Sequence, residues 1–299
     1  MPATRDCLLG AALAGLMVAP QAAGAQATEP RFPTTEFAEG ATSASAAHGE
    51  VTVTVAMVRL PEVDPSADVP VLTVTVGSVA VLTATGAASG FDFPAAHASI
   101  AEIDPGNALP EVYFSSYSGG AHCCNTVTVA AEVAGKWTAV PVGDFDGDGD
   151  YLHDLDNDGL AEIATVDNRF LYRFDCYACS AAPLAIFTVR GGEVIDVSAE
   201  PGYLAAHRDW LGQIEAALDP DGRWTSPGYL AGWLAQKVRV GEGAAAWAAI
   251  EANWDYGADA GEEVCLTGGE PEDCPRRQVR VLSFPERLKL FLDDNGYRF

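Results

Sequence analysis

Eight carboxylates fall between Asp144 and Glu162, in DFDGDGDYLHDLDNDGLAE: Asp144, Asp146, Asp148, Asp150, Asp154, Asp156, Asp158 and Glu162. So dense a run repels itself unless a cation or open water takes up the charge. The second half has the sharper spacing. Asp154, Asp156 and Asp158 stand at positions one, three and five, Gly159 at six and Glu162 at nine. Alternate residues of a tight loop can turn their oxygens to one centre, and the glycine permits the bend. Hard oxygen donors suit Ca²⁺, which takes about six to eight of them. The expected ligands are the side chains of Asp154, Asp156, Asp158 and Glu162 and the carbonyl of Leu160. In the first half Asp144, Asp146, Asp148 and Gly149 fit the same spacing, but position nine is Leu152. That half reads as a second site short of one ligand, an annex to the first, or an acidic hairpin turn. A solvated acidic loop is the alternative reading of the whole run.

A second constellation is Ser118-Gly119-Gly120-Ala121-His122-Cys123-Cys124, with Cys176-Tyr177-Ala178-Cys179 further on. Three readings compete. The first is a tight corner whose cysteines are oxidised, paired as neighbours or crosswise between Cys123/Cys124 and Cys176/Cys179. The second is a Zn²⁺ or other soft-metal site built from His122 and thiolates. The third is a thiol redox centre at Cys176 and Cys179, although nothing there signals the helix N-terminus that lowers a thiol pKa. Cys265 and Cys274 bracket LTGGEPED and are expected to pair with each other. His48, His97, His153 and His207 read as ordinary surface or core residues.

The elements that must position these groups are strands first and helices later. Val51, Val53 and Val55 alternate with Thr52 and Thr54, and the pattern recurs at Val71–Val76 and Val79–Thr83 between turn residues. That is the mark of antiparallel hairpins. Further strands are expected at Glu111–Ser116, Thr126–Val133, Phe170–Phe174, Ala185–Val189 and Val194–Val197. Ile103-Asp104 followed by Glu111-Val112 echoes Leu155-Asp156 followed by Glu162-Ile163. Asp104 therefore marks a degenerate, metal-free copy in a blade-like repeat of about fifty residues. Too few copies are visible to close a propeller, whose blades number at least about four. Beyond Pro201 the period becomes helical. Ser226-Pro227 marks one helix start, Ala244–Trp254 a further helix, and Ser283-x-x-Glu286 a capping box, with Gly296 a stop. The expected fold is β-rich α+β: propeller-like antiparallel β-repeats, then a small C-terminal helical subdomain.

Arg5, the apolar run Leu8–Ala19 and Ala23-Gly24-Ala25 form a signal peptide over residues 1–25, with cleavage after Ala25 or, second, Ala27. Residues 26–48 read as a flexible leader, 49–200 as the β-repeat domain and 201–299 as the helical subdomain. A secreted or periplasmic protein is expected, without membrane insertion. The net charge of −25 opposes nucleic acid and anionic membrane as partners and favours cations. A protein or glycan partner and a monomer are expected.

After the loop, position twelve is Thr165 rather than the glutamate of an EF-hand, and Ile163-Ala164-Thr165-Val166 is a strand signal. The loop thus resembles the strand-flanked D-x-D-x-D-G-x-x-[DE] loops of integrin-like FG-GAP and VCBS repeats. With GGAHCC, DNRFLYRF and GYLAGWLAQ, the stretch from Ile103 to Phe299 resembles secreted bacterial proteins related to them. The resemblance implies Ca²⁺ bound between strands of a blade and brings no established activity. No G-x-S-x-G, H-E-x-x-H or phosphate-cradling glycine loop occurs. The function expected is a calcium-stabilised, non-enzymatic binding or structural module. The alternative is an exported hydrolase or lyase using the acidic loop or the His122/Cys123/Cys124 corner.

Overall fold

The alternating valines form the first of three four-stranded antiparallel meanders in a computed structural model that describes residues 32–121, 123–218 and 222–299. The signal peptide and His122 lie outside the described residues. Strands β1 (Ser43–His48), β2 (Val51–Arg59), β3 (Asp68–Val76) and β4 (Val79–Thr85) pair in that order. Strands β5 (Ala96–Ala101), β6 (Glu111–Tyr117), β7 (Cys123–Val133) and β8 (Lys136–Asp146) make the second sheet. The third holds β9 (Leu152–His153), β10 (Glu162–Val166), β11 (Leu184–Arg190) and β12 (Glu193–Asp196).

Burial shows how the sheets stack. Val51, Val53 and Val55 are wholly buried while their threonine neighbours are only partly so, as for a sheet covered on one face. Their partners are Ala98, Ile100, Val112 and Phe114 of the second sheet. The opposite face of that sheet, with Tyr113, Val127 and Val129, packs on Leu152, Ile163 and Val189 of the third. A sheet covered on both faces needs near-continuous burial, and β6 has it from Glu111 to Ser116. The three blade-like sheets form successive layers, and among the described residues they do not close a ring.

Four helices follow: α1 (Leu204–Ala217), α2 (Pro227–Arg239), α3 (Gly243–Asn253) and α4 (Phe284–Asp294). The capping box before α4 is made, with the Ser283 N–H donating to Glu286 Oε2 at 2.8 Å. The helical core takes in Phe170 and Ala182 from the β-region, so the residues from Phe32 onward form one compact unit across Pro201. His207 on α1 belongs to a buried polar knot: its Nε2–H donates to the Ser198 carbonyl at 2.8 Å. The Gln236 amide donates to the His207 carbonyl at 2.6 Å, and its oxygen accepts the Leu184 N–H at 2.9 Å.

Two expectations are corrected, and one element is new. Ser43–His48, assigned to the flexible leader 26–48, is a strand. Gly49, at φ 58°, opens a two-residue turn that folds it back on β2, and main-chain pairing does not require apolar side chains. Phe170–Phe174 is not a strand. Asp167 caps a 3₁₀ turn over Asn168–Phe170, and Phe170 and Phe174 turn edge-on to Phe291 of α4. The hairpin β13 (Glu262–Cys265) with β14 (Val279–Leu282) was not expected at all.

Candidate metal centre

The third sheet sets the mouth of the acidic loop. His153 pairs with Glu162 across β9 and β10, so Asp154, just past β9, faces Glu162 at the start of β10. Between them Asn157 at φ 63° and Gly159 at φ 95° take the left-handed turn that glycine and asparagine tolerate best. The loop is then laced by its own amides. The Gly159 N–H donates to Asp154 Oδ2 at 3.0 Å, Asp158 N–H to Asp156 Oδ1 at 3.2 Å and Leu160 N–H to Asp158 Oδ1 at 2.8 Å. The Leu155 N–H donates to Glu162 Oε2 at 2.9 Å.

This winding brings one carboxylate oxygen from each of Asp154, Asp156 and Glu162 within 4.8 Å of one another. Asp154 and Glu162 are buried and Asp156 is exposed. Like charges at that spacing repel by roughly 3 kcal/mol per pair at an effective dielectric near 20, and by less where Asp156 meets water. Burial holds the Glu162 carboxyl above its ordinary range, against the lowering effect of the Leu155 N–H and the Tyr203 hydroxyl. Burial, with Glu162 beside it, likewise raises the Tyr203 phenol. A hard divalent cation relieves this repulsion, and an all-oxygen donor set fits one.

Tyr203 and its neighbour Gly202 are the site residues that sequence reasoning missed. A side chain at Gly202 would meet Asp156 Oδ2 at 3.1 Å, so the turn leading into α1 lies directly on the loop. In sequence Tyr203 reads only as an apolar helical position, and nothing distinguishes it as a phenol bonded to a carboxylate.

Asp158, expected as a ligand, is not one of the three converging carboxylates and accepts the Leu160 N–H instead. Nor are Asp144, Asp146 and Asp148 brought together. Asp144 ends up on β8, where Thr126 Oγ1 donates to it at 2.7 Å. The Asp146 carbonyl accepts the Tyr151 hydroxyl at 2.9 Å, and Asp148 Oδ1 accepts the Asp150 N–H at 3.1 Å. The first half of the run is thus the end of β8 and the bend that carries the chain from the second sheet to the third.

The cysteines pair as neighbours: Cys123 with Cys124, Cys176 with Cys179, and Cys265 with Cys274. The structure does not pair them crosswise, and cysteines paired in this way offer no thiolate to a Zn²⁺ site or a nucleophile.

The degenerate copy sits at the corresponding connection of the second sheet, between β5 and β6. Glu111 is fully buried, and its Oε2 accepts the Ile103 and Asp104 N–H groups at 2.8 and 2.9 Å. Its Oε1 accepts the Asn107 amide at 2.6 Å, while the Gly106 and Gly191 N–H groups donate to Asp104.

Fold and loop together define a layered β-protein with an acidic inter-strand loop under a helical cap. The cap carries the family match: residues 204–296 match the sll0997 C-terminal domain, not an FG-GAP or VCBS repeat. The chain is 37% identical over 229 residues to the "probable thylakoid lumen protein sll0997" of Synechocystis, covering 75% of this chain and 67% of that one. It is 36% identical over 197 residues to the "uncharacterized protein y4bJ" of Sinorhizobium fredii, covering 65% of this chain but only 31% of that protein. The chain belongs to the sll0997 family. No solved structure matches it.

Proposed function

We propose that this is an exported calcium-binding β-repeat protein acting as a non-enzymatic binding or structural module, its loop of the FG-GAP/VCBS kind. One observation carries the reading: Asp154, Asp156 and Glu162 converge at the mouth of a hairpin, two of them buried. Those three side chains would hold the ion, with Asp158 and the Leu160 carbonyl beside them. The bound ion supplies positive charge that offsets the carboxylate repulsion. The chain's own groups do the rest: the loop amides fix Asp154 and Asp156, and Tyr203 ties Glu162 to the start of α1.

Export is supported by the signal segment, by the three disulfides and by the lumenal naming of the Synechocystis relative. Among the described residues no helix is long and apolar enough to cross a membrane. The charge of −25 weighs against nucleic acid as the partner and leaves a protein or a neutral glycan. Thermal melting of the chelator-treated protein and its Asp156→Ala variant tests the reading. Calcium should raise the melting temperature of the parent and leave the variant where it was. An equal rise in both would remove Asp156 from the site.

A further inference from the structure

Where the end of β8 meets the helices, the structure leaves a cavity of about 770 Å³. Five stretches of chain surround it: the ends of β8 and β10, the segment 171–182, α1, and the start of α2 with the residue before it. Its walls are mainly apolar, with Val166, Leu171, Trp210, Ile214, Leu218 and Tyr229 among them. A volume of roughly 300–1,000 Å³ with walls of this kind is what a small-molecule site needs. Asp154, Asp156 and Glu162 take no part in it.

The walls are held by bonds within the protein. The Cys176–Cys179 disulfide pins the segment that carries Cys179 and Ser180. Trp210 Nε1–H donates to the Ala182 carbonyl at 3.0 Å, and the Ala181 N–H donates to the Gly228 carbonyl at 3.2 Å. A side chain at Gly232 would run into the Ala181 carbonyl, so α2 lies directly against that segment. Protein interiors are close-packed, and apolar walls held apart forfeit contacts that a guest restores.

The chemistry of the walls selects the guest. Among the described residues no Lys, Arg or His lines the cavity, so nothing there offsets an anion. Its one carboxylate, Asp146, repels anions further and accepts the Tyr177 hydroxyl, a bond that competes with any cation. The serine hydroxyls are spent as donors: Ser180 Oγ donates to the Cys176 carbonyl at 2.9 Å and Ser226 Oγ to the Gly222 carbonyl at 3.1 Å. With Trp210 bonded to Ala182, the side chains left over are Gln213, which is exposed, and Tyr229. Tyr229 is 5% exposed, and its buried hydroxyl has no hydrogen-bond partner. A sugar or a peptide backbone brings many donors and acceptors and would strand several of them against these walls. A neutral, chiefly apolar molecule with one polar atom avoids that cost.

We propose that this cavity binds a neutral small molecule with a hydrocarbon body and a single oxygen function, of the chemical kind of a fatty alcohol. The inference goes beyond the calcium-module reading and does not rest on it, because no calcium-loop ligand lines the cavity. Its test is run at constant calcium, so its failure is separable from failure of the metal site.

Fluorescence titration of the full exported chain with N-phenyl-1-naphthylamine, a neutral apolar probe, is the experiment. The probe should bind saturably at one site per chain, in roughly the micromolar range, and dodecanol should displace it. Dodecanoate and dodecyltrimethylammonium carry the same chain on a charged head and should displace it about tenfold less well, since their charge must be desolvated. Ala217→Trp and Ala178→Trp fill the cavity from α1 and from the disulfide segment. Both alanines are exposed, so both variants should melt with the parent. Each should weaken probe and dodecanol binding about tenfold, because the added indole takes up the space of the guest. No saturable binding up to the solubility limit of the probe would overturn the proposal. So would binding that ignores both substitutions, or displacement by either charged analogue as effective as that by dodecanol.

Discussion

Two loops at corresponding places in neighbouring sheets solve one electrostatic problem in different ways. Both put a glutamate at the first position of the second strand, Glu111 on β6 and Glu162 on β10, and both bury it. In each the carboxylate accepts a main-chain N–H from the start of the connection, Asp104 in one and Leu155 in the other. Burial raises both carboxyls above their ordinary range. The loops differ in what surrounds the glutamate. The first places the Asn107 amide on Glu111 and two glycine N–H groups on Asp104, so protein donors meet the charge. The second places two more carboxylates, Asp154 and Asp156, within 4.8 Å of Glu162, a repulsion that the proposed cation would relieve. Under the calcium reading proposed above, the same strand geometry would carry a metal-held loop in one sheet and a protein-held loop in the next. The two chains of donors meet where the Ala161 N–H donates to the Glu102 carbonyl at 2.7 Å.

Paired glutamine substitutions sharpen the contrast, and the largest effect is expected at the metal loop. Glu162→Gln should remove the calcium-dependent stabilisation, which amounts to about 2.7 kcal/mol when calcium stands at a hundredfold its dissociation constant. Denaturant unfolding with and without calcium measures it; a parent-sized calcium increment in the variant would break the comparison. Glu111→Gln should instead destabilise by about 1–3 kcal/mol, because the new amide must point an N–H at a donor. The same denaturation curves should show that loss to be equal with and without calcium. A calcium-dependent loss there would mean that the first loop, too, holds a cation.

The smallest expected effect is a pH dependence seated away from both loops. Burial holds the His207 imidazole below its ordinary pKa of 6.5, so the unfolded chain takes up that proton more readily than the folded one. Its contribution is therefore complete above about pH 6.5 and is lost as pH falls below it. Melting measured from pH 7.5 down to 5 should decline, by a smaller amount in His207→Gln. An unchanged slope in that variant would assign the decline to other groups.

Much of this was legible in the chain. The Val51/Val53/Val55 alternation, the capping box at Ser283 and the spacing Asp154/Asp156/Glu162 are local patterns, and local hydrogen bonding realises them. What was missed depends on contacts distant in sequence. Phe170–Phe174 has strand-forming composition, but the rings of α4, more than a hundred residues later, take up Phe170 and Phe174. Ser43–His48 looks structureless because its side chains are mostly small Ser and Ala, while its order comes from main-chain pairing with β2. Asp144, Asp146 and Asp148 have a metal-loop rhythm, yet no ninth-position acid turns the strand end back on itself. Tyr203 became a site residue only once α1 was laid against the loop.

The central claim is that the second loop leaves its charge to a cation where the first does not. Calorimetric titration of the chelator-stripped protein with Ca²⁺ tests this most directly. The account predicts saturable binding at a single site, abolished by Glu162→Gln and unaffected by Glu111→Gln. Absence of binding, or binding that survives Glu162→Gln, would contradict it and return Asp154–Glu162 to the status of a solvated acidic loop.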